Sequence, residues 1–242
     1  MIDLSGKTFV IIGATGDIGG NLARYLHSMG ANIVAVGRNT SKLMELDSLK
    51  PRMRTLEIGS EDLIDDMEVV FDHGLAAFGK FDALITSVGQ WVQIDVSEEP
   101  EKFIDQLDKD FAAFVRPSVA PMFIFNKYFK ENGGGLMVDI SSHAAEGNLP
   151  GNLTYAPAKA AVKSFIENLR AENGPDSKVV VARAISQLVD TAKNRANPRL
   201  VHLSEEDWQK TVQIKDMAEW IISCIDNPKA ELDKLFKSGI VL

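Results

Sequence analysis

The stretch TFVIIGATGDIGG, Thr8 to Gly20, joins a short β-branched run to a glycine-rich turn. Its first five residues are apolar or β-branched throughout, as in a strand that is buried on both faces of a parallel sheet. Apolar residues at helical spacing follow the turn, at Leu22, Ala23, Leu26 and Met29. A strand, a glycine turn and a helix in this order predict the first unit of a doubly wound α/β fold.

Strand and helix patterns alternate along nearly the whole chain. Further strands are predicted at 32–37, 55–58, 83–86, 136–140 and 179–185. Because parallel neighbours need long crossover connections, we predict a mainly parallel Rossmann-type sheet with helices on both faces, a three-layer α/β/α fold. With no repeat and no low-complexity linker, residues 1–242 are expected to form one domain, in which residues 192–210 cover the substrate.

The chain of 242 residues carries 34 acidic and 26 basic side chains, with a pI near 5.1. This excess of negative charge argues against nucleic acid and anionic membranes as partners. The sequence has no apolar run of about 20 residues that could cross a bilayer, and its first residues do not resemble a signal peptide. The single cysteine, Cys224, has no partner for a disulfide or a zinc site. We therefore expect a cytoplasmic protein without a metal.

The glycines of the first turn follow the spacing G-x-x-G-x-x-G. Glycine allows the backbone to approach a pyrophosphate closely, and the N-terminus of the next helix offers unpaired amide groups and a partial positive charge. The turn thus predicts a dinucleotide site, although a turn that serves packing alone is the alternative. The predicted contacts are Gly13, Thr15, Gly16, Asp17, Ile18 and Gly19.

The end of the second predicted strand indicates which dinucleotide is bound. Enzymes that prefer NAD usually carry an acidic residue here, whereas this chain has Gly37-Arg38-Asn39. A guanidinium suits the 2′-phosphate of NADP through charge-assisted hydrogen bonds. We therefore predict NADP (NADPH) as the cofactor, with Arg38 and Asn39 as contacts and NAD as the less favoured choice. A solvated arginine is the other interpretation.

Ser142 lies just after the fifth predicted strand, and Tyr155 and Lys159 follow at the start of a helix. Residues four apart lie on one helix face, so the lysine ammonium can stabilise the tyrosine phenolate and make the hydroxyl a useful acid or base. Ser142 can orient a carbonyl while Tyr155 protonates it. The three residues predict carbonyl–alcohol chemistry.

Taken together, these motifs resemble the short-chain dehydrogenase/reductase family over nearly the whole chain. The resemblance rests on GATGDIG, GRN, FDALITSVG, GGLMVDISS, YAPAK and VARAISQLVDT in the order and spacing of that family. It implies a Rossmann-type sheet, an NAD(P) cofactor and hydride transfer between nicotinamide and a carbonyl or an alcohol. It also implies that Lys159 binds the nicotinamide ribose and that Thr191 contacts the carboxamide.

The sequence departs from that family at three places. Thr86-Ser87-Val88-Gly89 replaces the usual Asn-Asn-Ala-Gly; Ser87 and Gly89 are still expected to border the cofactor, because Gly89 allows close backbone approach. By spacing from Phe103, Asp110 falls where the fourth catalytic residue is usually Asn, with a solvated helix residue as the alternative. The Pro-Gly usual after the sixth strand is absent.

Three functions remain open at this point. The leading one is an NADP-dependent oxidoreductase acting on a small carbonyl or alcohol substrate through Ser142, Tyr155, Lys159 and Asp110. The second is a non-catalytic or weakly catalytic NADP-binding regulator, and the third is a nucleotide-sugar epimerase or dehydratase. Positive side chains between residues 193 and 202 hint at an anionic substrate, although a solvated loop explains them equally. Apolar helices near 111–129 and 158–169 predict a homodimer, with a tetramer as a second possibility.

Overall fold

The computed structural model describes residues 3–59, 62–147, 149–226 and 231–240. In these ranges seven strands form one parallel sheet in the order β3-β2-β1-β4-β5-β6-β7. The strands are β1 (Thr8–Ile12), β2 (Asn32–Gly37), β3 (Met53–Glu57), β4 (Ala83–Thr86), β5 (Gly135–Ser142), β6 (Val179–Ser186) and β7 (Asp233–Phe236).

Helices connect the successive strands, as parallel pairing requires. They are α1 (Asp17–Ser28), α2 (Thr40–Asp47), α3 (Leu63–Phe78), α4 (Pro100–Asp110), α5 (Arg116–Glu131), α6 (Tyr155–Asn173), α7 (Ala192–Arg195), α8 (Glu205–Gln209) and α9 (Ile214–Asp226). A π-helical turn, Phe111–Val115, joins α4 to α5, and a 3-10 turn, His143–Glu146, follows β5.

Strand β1 shows how the core is divided. Successive side chains of a strand point to opposite faces, so Phe9 and Ile11 pack with α1 and α9, while Val10 and Ile12 pack with α3, α5 and α6. All four of these residues are buried. The predicted three-layer α/β/α Rossmann-type fold is confirmed.

The strand order reverses between β1 and β4, which are neighbours although two strands separate them in sequence. Connections leave the two strands towards opposite sides, and a crevice opens at their carboxyl ends. In doubly wound sheets this crevice is where ligands bind. The glycine turn after β1 and the residues after β4 therefore face the same space.

The structure corrects several sequence predictions. Strand β3 lies at 53–57 and not at 55–58, and β5 and β6 are longer than predicted. Strand β7 was missed, because its four residues, DKLF, are too short to show a clear alternation. Segment 192–210, which we predict to cover the substrate and which has no evident periodicity, contains the short helices α7 and α8.

Cys224 is fully buried on α9 among apolar side chains. Burial raises the pKa of its thiol to about 11, which favours the un-ionised form. Its role is packing.

In the part of the chain that the structure describes, no helix is long and apolar enough to span a membrane.

A cluster of charges fixes β7 to the end of the sheet. The Arg183 side chain is 3% exposed and donates to both carboxylate oxygens of Asp233, at 3.1 and 3.0 Å. Its remaining terminal nitrogen donates to Glu146 at 2.8 Å, and Arg170 donates to Asp233 at 2.6 Å. Because Glu146 belongs to the 3-10 turn after β5, the cluster also anchors the backbone that follows Ser142.

We expect this cluster to make stability depend on acid pH. Burial alone would raise the pKa of Asp233, but the hydrogen bonds from Arg170 and Arg183 outweigh it and lower that pKa to about 2. The folded-state pKa is below the unfolded value, so ionised Asp233 stabilises the fold above about pH 4 and this contribution disappears as the pH falls towards about 2. Urea titrations from pH 5 to pH 2 should show a smaller loss of stability in Asp233→Asn; an unchanged pH slope would contradict the assignment.

Candidate active site

The turn between β1 and α1 leaves no room for side chains. Gly13 has a φ of +88°, and a Cβ there would lie 2.1 Å from the carbonyl oxygen of Ser87. A Cβ on Gly19 would lie 2.4 Å from the carbonyl oxygen of Gly13. No side chain caps α1, which begins at Asp17. The backbone of the turn is therefore closely packed, and the N-terminal amide groups of α1 have no side-chain cap. A turn of this kind can bind a pyrophosphate.

The residues after β2 lie beside this turn. A Cβ on Gly37 would be 2.5 Å from Cγ2 of Thr15, so the Thr15 side chain packs directly on the end of β2. Arg38 is exposed, and among the described residues its guanidinium has no hydrogen-bond or ion-pair partner. The side-chain oxygen of Asn39 accepts from the backbone N–H of Lys42 at 3.0 Å and caps α2. Arg38 thus has a side chain free to contact a ligand, whereas the side-chain oxygen of Asn39 is already used.

The structure changes the interpretation of the TSVG stretch. Thr86 is fully buried and donates to Asp139 of β5 at 2.9 Å, so its hydroxyl ties two strands together and does not face a ribose. Gly89 has a φ of +86°, and a Cβ there would lie 1.9 Å from the ring of Phe114. The need for glycine at this position therefore comes from the Phe114 ring. Ser87 contributes its backbone carbonyl to the tight contact with Gly13.

Ser142, Tyr155 and Lys159 come together at the carboxyl end of β5. Ser142 is the last residue of that strand, and Tyr155 is the first residue of α6. The buried Lys159 ammonium donates to the carbonyl oxygen of Ile140 at 2.9 Å, two residues before Ser142. This bond brings one turn of α6, with Tyr155 on it, against the end of the strand. The Oγ of Ser142 accepts from the backbone N–H of Ala144 at 3.2 Å, which fixes its direction.

Phe114 completes this cluster, and sequence reasoning missed it. Its ring centroid lies 5.1 Å from that of Tyr155 in an edge-to-face arrangement, and 5.0 Å from the Lys159 nitrogen. The ring is 2% exposed. A cation over an aromatic face and an edge-to-face ring pair are both favourable, so Phe114 holds the two side chains in place. No sequence signal marks the π-helical turn that directs this ring inward.

Asp110 ends α4 immediately before the π-helical turn and is only 2% exposed. One carboxylate oxygen accepts from Gln106 at 2.7 Å, while the other is buried without a hydrogen-bond partner among the described residues. The alternative of a solvated helix residue is therefore wrong. A buried polar atom that lacks a partner is costly, and such atoms concentrate at functional sites.

Thr191 stands at the start of the flap, which we define as residues 192–210. Its hydroxyl oxygen accepts from the backbone N–H of Asn194 at 3.2 Å and caps α7. Arg195 binds both Asp190 and Glu205, each at 2.6 Å, and these hydrogen bonds raise the pKa of its guanidinium. Its charge is thus paired with one carboxylate just before the flap and one within it. The hint of an anionic substrate is therefore not supported at Arg195.

An open pocket of about 540 Å³ adjoins the start of α6. Its lining is mainly apolar and consists of Leu149, Pro150, Asn152, Leu153, Ala156 and Pro157. Trp91 beside it is 41% exposed and donates from its indole nitrogen to Asn152 at 2.7 Å. Sequence reasoning missed this pocket, although apolar residues on both sides of Tyr155 were the available signal. The pocket therefore borders the helix turn that carries Tyr155.

The site suits a nicotinamide dinucleotide. A Cβ at Gly13 or Gly19 would not fit in the glycine turn, and Arg38, which has no partner among the described residues, follows β2 where an adenosine ribose is expected. At the other end of the crevice, Ser142, Tyr155 and Lys159 supply a hydroxyl, a phenol and an ammonium. The arrangement can bind a dinucleotide along the carboxyl ends of β1 and β4 and exchange a proton with a small molecule beside it.

Comparisons with known proteins agree with this geometry. The family described as short chain dehydrogenase matches residues 7–201. The 3-oxoacyl-acyl-carrier-protein reductase FabG of Rickettsia conorii is 31% identical over 176 residues, which are 71% of this chain and 68% of that protein. The 11-beta-hydroxysteroid dehydrogenase A of Sesamum indicum is 30% identical over 186 residues, which are 72% of this chain and 50% of that protein.

Solved structures share the fold. A 7 alpha-hydroxysteroid dehydrogenase complexed with NADH and 7-oxo glycochenodeoxycholic acid has a TM-score of 0.79 at 21% identity, covering 98% of this chain and 94% of that one. A short chain dehydrogenase from Bacillus anthracis has a TM-score of 0.81 at 18% identity, covering 98% and 97%. With the family match over most of its length, the chain belongs to the short-chain dehydrogenase/reductase family of nicotinamide-dependent oxidoreductases.

Proposed function

We propose that this protein is an NADP-dependent oxidoreductase that interconverts a carbonyl compound and the corresponding alcohol. The observation that carries the proposal is the cluster of Ser142, Tyr155 and Lys159, in which the buried Lys159 ammonium is bonded at the end of β5 and lies one helical turn from Tyr155. A protein that only binds nucleotide has no need of all three groups.

Each residue has a separate task in the reduction. The Ser142 hydroxyl donates to the carbonyl oxygen and orients it, and the Tyr155 hydroxyl gives that oxygen a proton. Lys159 stabilises the phenolate that Tyr155 leaves behind and binds the nicotinamide ribose. When bound, the cofactor supplies the hydride. Asp110, one of whose buried oxygens has no hydrogen-bond partner in the part of the chain that the structure describes, is assigned to the same proton path.

The fold alone does not decide between the two cofactors, since a solved structure with the same fold contains NADH. The assignment of NADP therefore rests on Arg38. We expect Arg38→Ala to weaken NADPH binding by about tenfold to a hundredfold, since a charged hydrogen-bonded pair contributes about 1.5–3 kcal/mol. NADH binding should hardly change. The measurement is a fluorescence titration, with Arg54→Ala on β3 as a control for the loss of one positive charge.

Equal losses for NADPH and NADH in Arg38→Ala would contradict this assignment. A wild-type preference for NADH would do the same. Either result would leave the oxidoreductase assignment in place, because that rests on the cluster around Tyr155.

The apolar pocket supports a hydrophobic substrate. Leu149, Leu153 and Pro157 offer no charge to a ligand, and in the flap Arg195 is already paired with two carboxylates. A panel of carbonyl compounds, assayed by NADPH consumption, tests the function directly. Apolar ketones should be reduced faster than carboxylated ketones of the same size.

A homodimer through α5 and α6 remains our proposal for assembly.

A further inference from the structure

The side chain of Asp17 makes two contacts that reach outside its own helix. Its Oδ2 accepts from the backbone N–H of Lys193 at 2.9 Å, and its Oδ1 lies 3.7 Å from the ammonium of Lys42. Lys193 belongs to α7 at the start of the flap, and Lys42 belongs to α2. One carboxylate therefore links the glycine turn, the flap and the segment after Arg38.

This carboxylate stands at the end of α1 that attracts anions. Asp17 is the first residue of the helix, no side chain caps the preceding Gly16, and the side chain is 24% exposed. The helix N-terminus favours negative charge, and the proposed cofactor brings two negative phosphates to the same turn. Two anions at one helix end repel each other. The Asp17 side chain and a bound pyrophosphate therefore oppose one another.

The flap side of the contact is well organised. Thr191 caps α7, and Arg195 is held by Asp190 just before the flap and by Glu205 within it, so the first part of the flap is already fixed by neighbouring residues. The Lys193–Asp17 hydrogen bond connects this unit to the glycine turn, 176 residues away in sequence. Loss of that bond removes the contact between the flap and the glycine turn and leaves these other bonds in place.

We propose that Asp17 is a positioning residue that holds the flap against the cofactor turn in the nucleotide-free protein and lowers the affinity for nucleotide. The pyrophosphate competes with the Asp17 carboxylate, so nucleotide entry and release of the Lys193 contact are coupled. This inference rests on the proposed nicotinamide cofactor. The effect of Asp17 on nucleotide affinity does not depend on Arg38.

Two variants separate the charge from the hydrogen bond. Asp17→Asn removes the charge and keeps a side-chain acceptor, and Asp17→Gly removes both. In fluorescence titrations each variant should bind NADPH at least about fivefold more tightly than wild type. This is the expected effect of removing the repulsion between two unit charges that lie a few ångströms apart in a water-like dielectric. The gain should be equal for NADH, because both nucleotides carry the pyrophosphate, and it should shrink at high salt. Asp105→Asn on α4 is the matched control.

Hydrogen exchange of the nucleotide-free protein tests the flap contact separately. Asp17→Gly should lose protection at the Lys193 amide, whereas Asp105→Asn should keep it. Unchanged protection in Asp17→Gly, or equal or weaker nucleotide binding in Asp17→Asn, overturns the inference. If neither the wild-type protein nor any variant binds nucleotide, the proposed function is wrong, and so is the proposed repulsion between Asp17 and the pyrophosphate. The hydrogen-exchange result still decides whether Asp17 holds the flap.

Discussion

Replacing Tyr155 by Phe should lower kcat for carbonyl reduction by about 10²–10⁴-fold, the usual contribution of a general acid. The ring contact with Phe114 needs only the aromatic edge, so the variant keeps its packing and loses the one hydroxyl that protonates the substrate oxygen. NADPH affinity should remain close to the wild-type value. Steady-state rates and a nucleotide titration on the same preparation measure the two effects.

Tyr25→Phe provides the matched control, since that hydroxyl lies on α1 and contacts Glu219, away from the cluster. It should leave kcat unchanged. A Tyr155→Phe protein with full activity would mean that another group protonates the substrate, and the roles given to Ser142 and Lys159 would have to be reassigned.

Replacing Arg183 by Met should lower the free energy of unfolding by about 3 kcal/mol, because removing one partner of a buried ion pair leaves charges without compensation. The value is at the lower end for such pairs, since Asp233 keeps its bonds to Arg170 and Glu146 is partly exposed. For a chain of this length the midpoint of thermal unfolding should fall by about 6–12 °C. Urea and thermal unfolding measure the change.

Arg24→Met on α1 is the corresponding surface control, because its pair with Glu45 is exposed. Its stability should stay within about 1 kcal/mol of wild type. Equal stability of the Arg183→Met protein would show that the cluster at β7 does not contribute to the fold.

The sequence predicted the parts of the fold that local chemistry determines. Short β-branched runs such as TFVII and NIVAVG are buried on both faces, and a run of this kind has few alternatives to a central parallel strand. The glycine turn was predictable for a similar reason, since Gly13 has positive φ and meets the Ser87 backbone. The match between six predicted strands and the sheet follows from these local requirements.

Features that depend on distant contacts could not be predicted in this way. Strand β7 exists because Asp233 meets Arg183 and Arg170, which come from β6 and α6. The π-helical turn that places Phe114 under Lys159 leaves no periodic signature. The site shows the same limit. Sequence reasoning identified Ser142, Tyr155 and Lys159, but the role of Gly89 depends on the Phe114 ring, which only the folded chain brings close to it.

The measurement that tests the central claim most directly is a titration of purified wild-type protein with NADPH and, in parallel, with NADH, followed by nicotinamide fluorescence. It needs no knowledge of the substrate. The account predicts saturable binding of both nucleotides, with NADPH bound more tightly. Failure of both to bind would mean that the crevice between β1 and β4 is not a dinucleotide site, and it would contradict the assignment of an oxidoreductase.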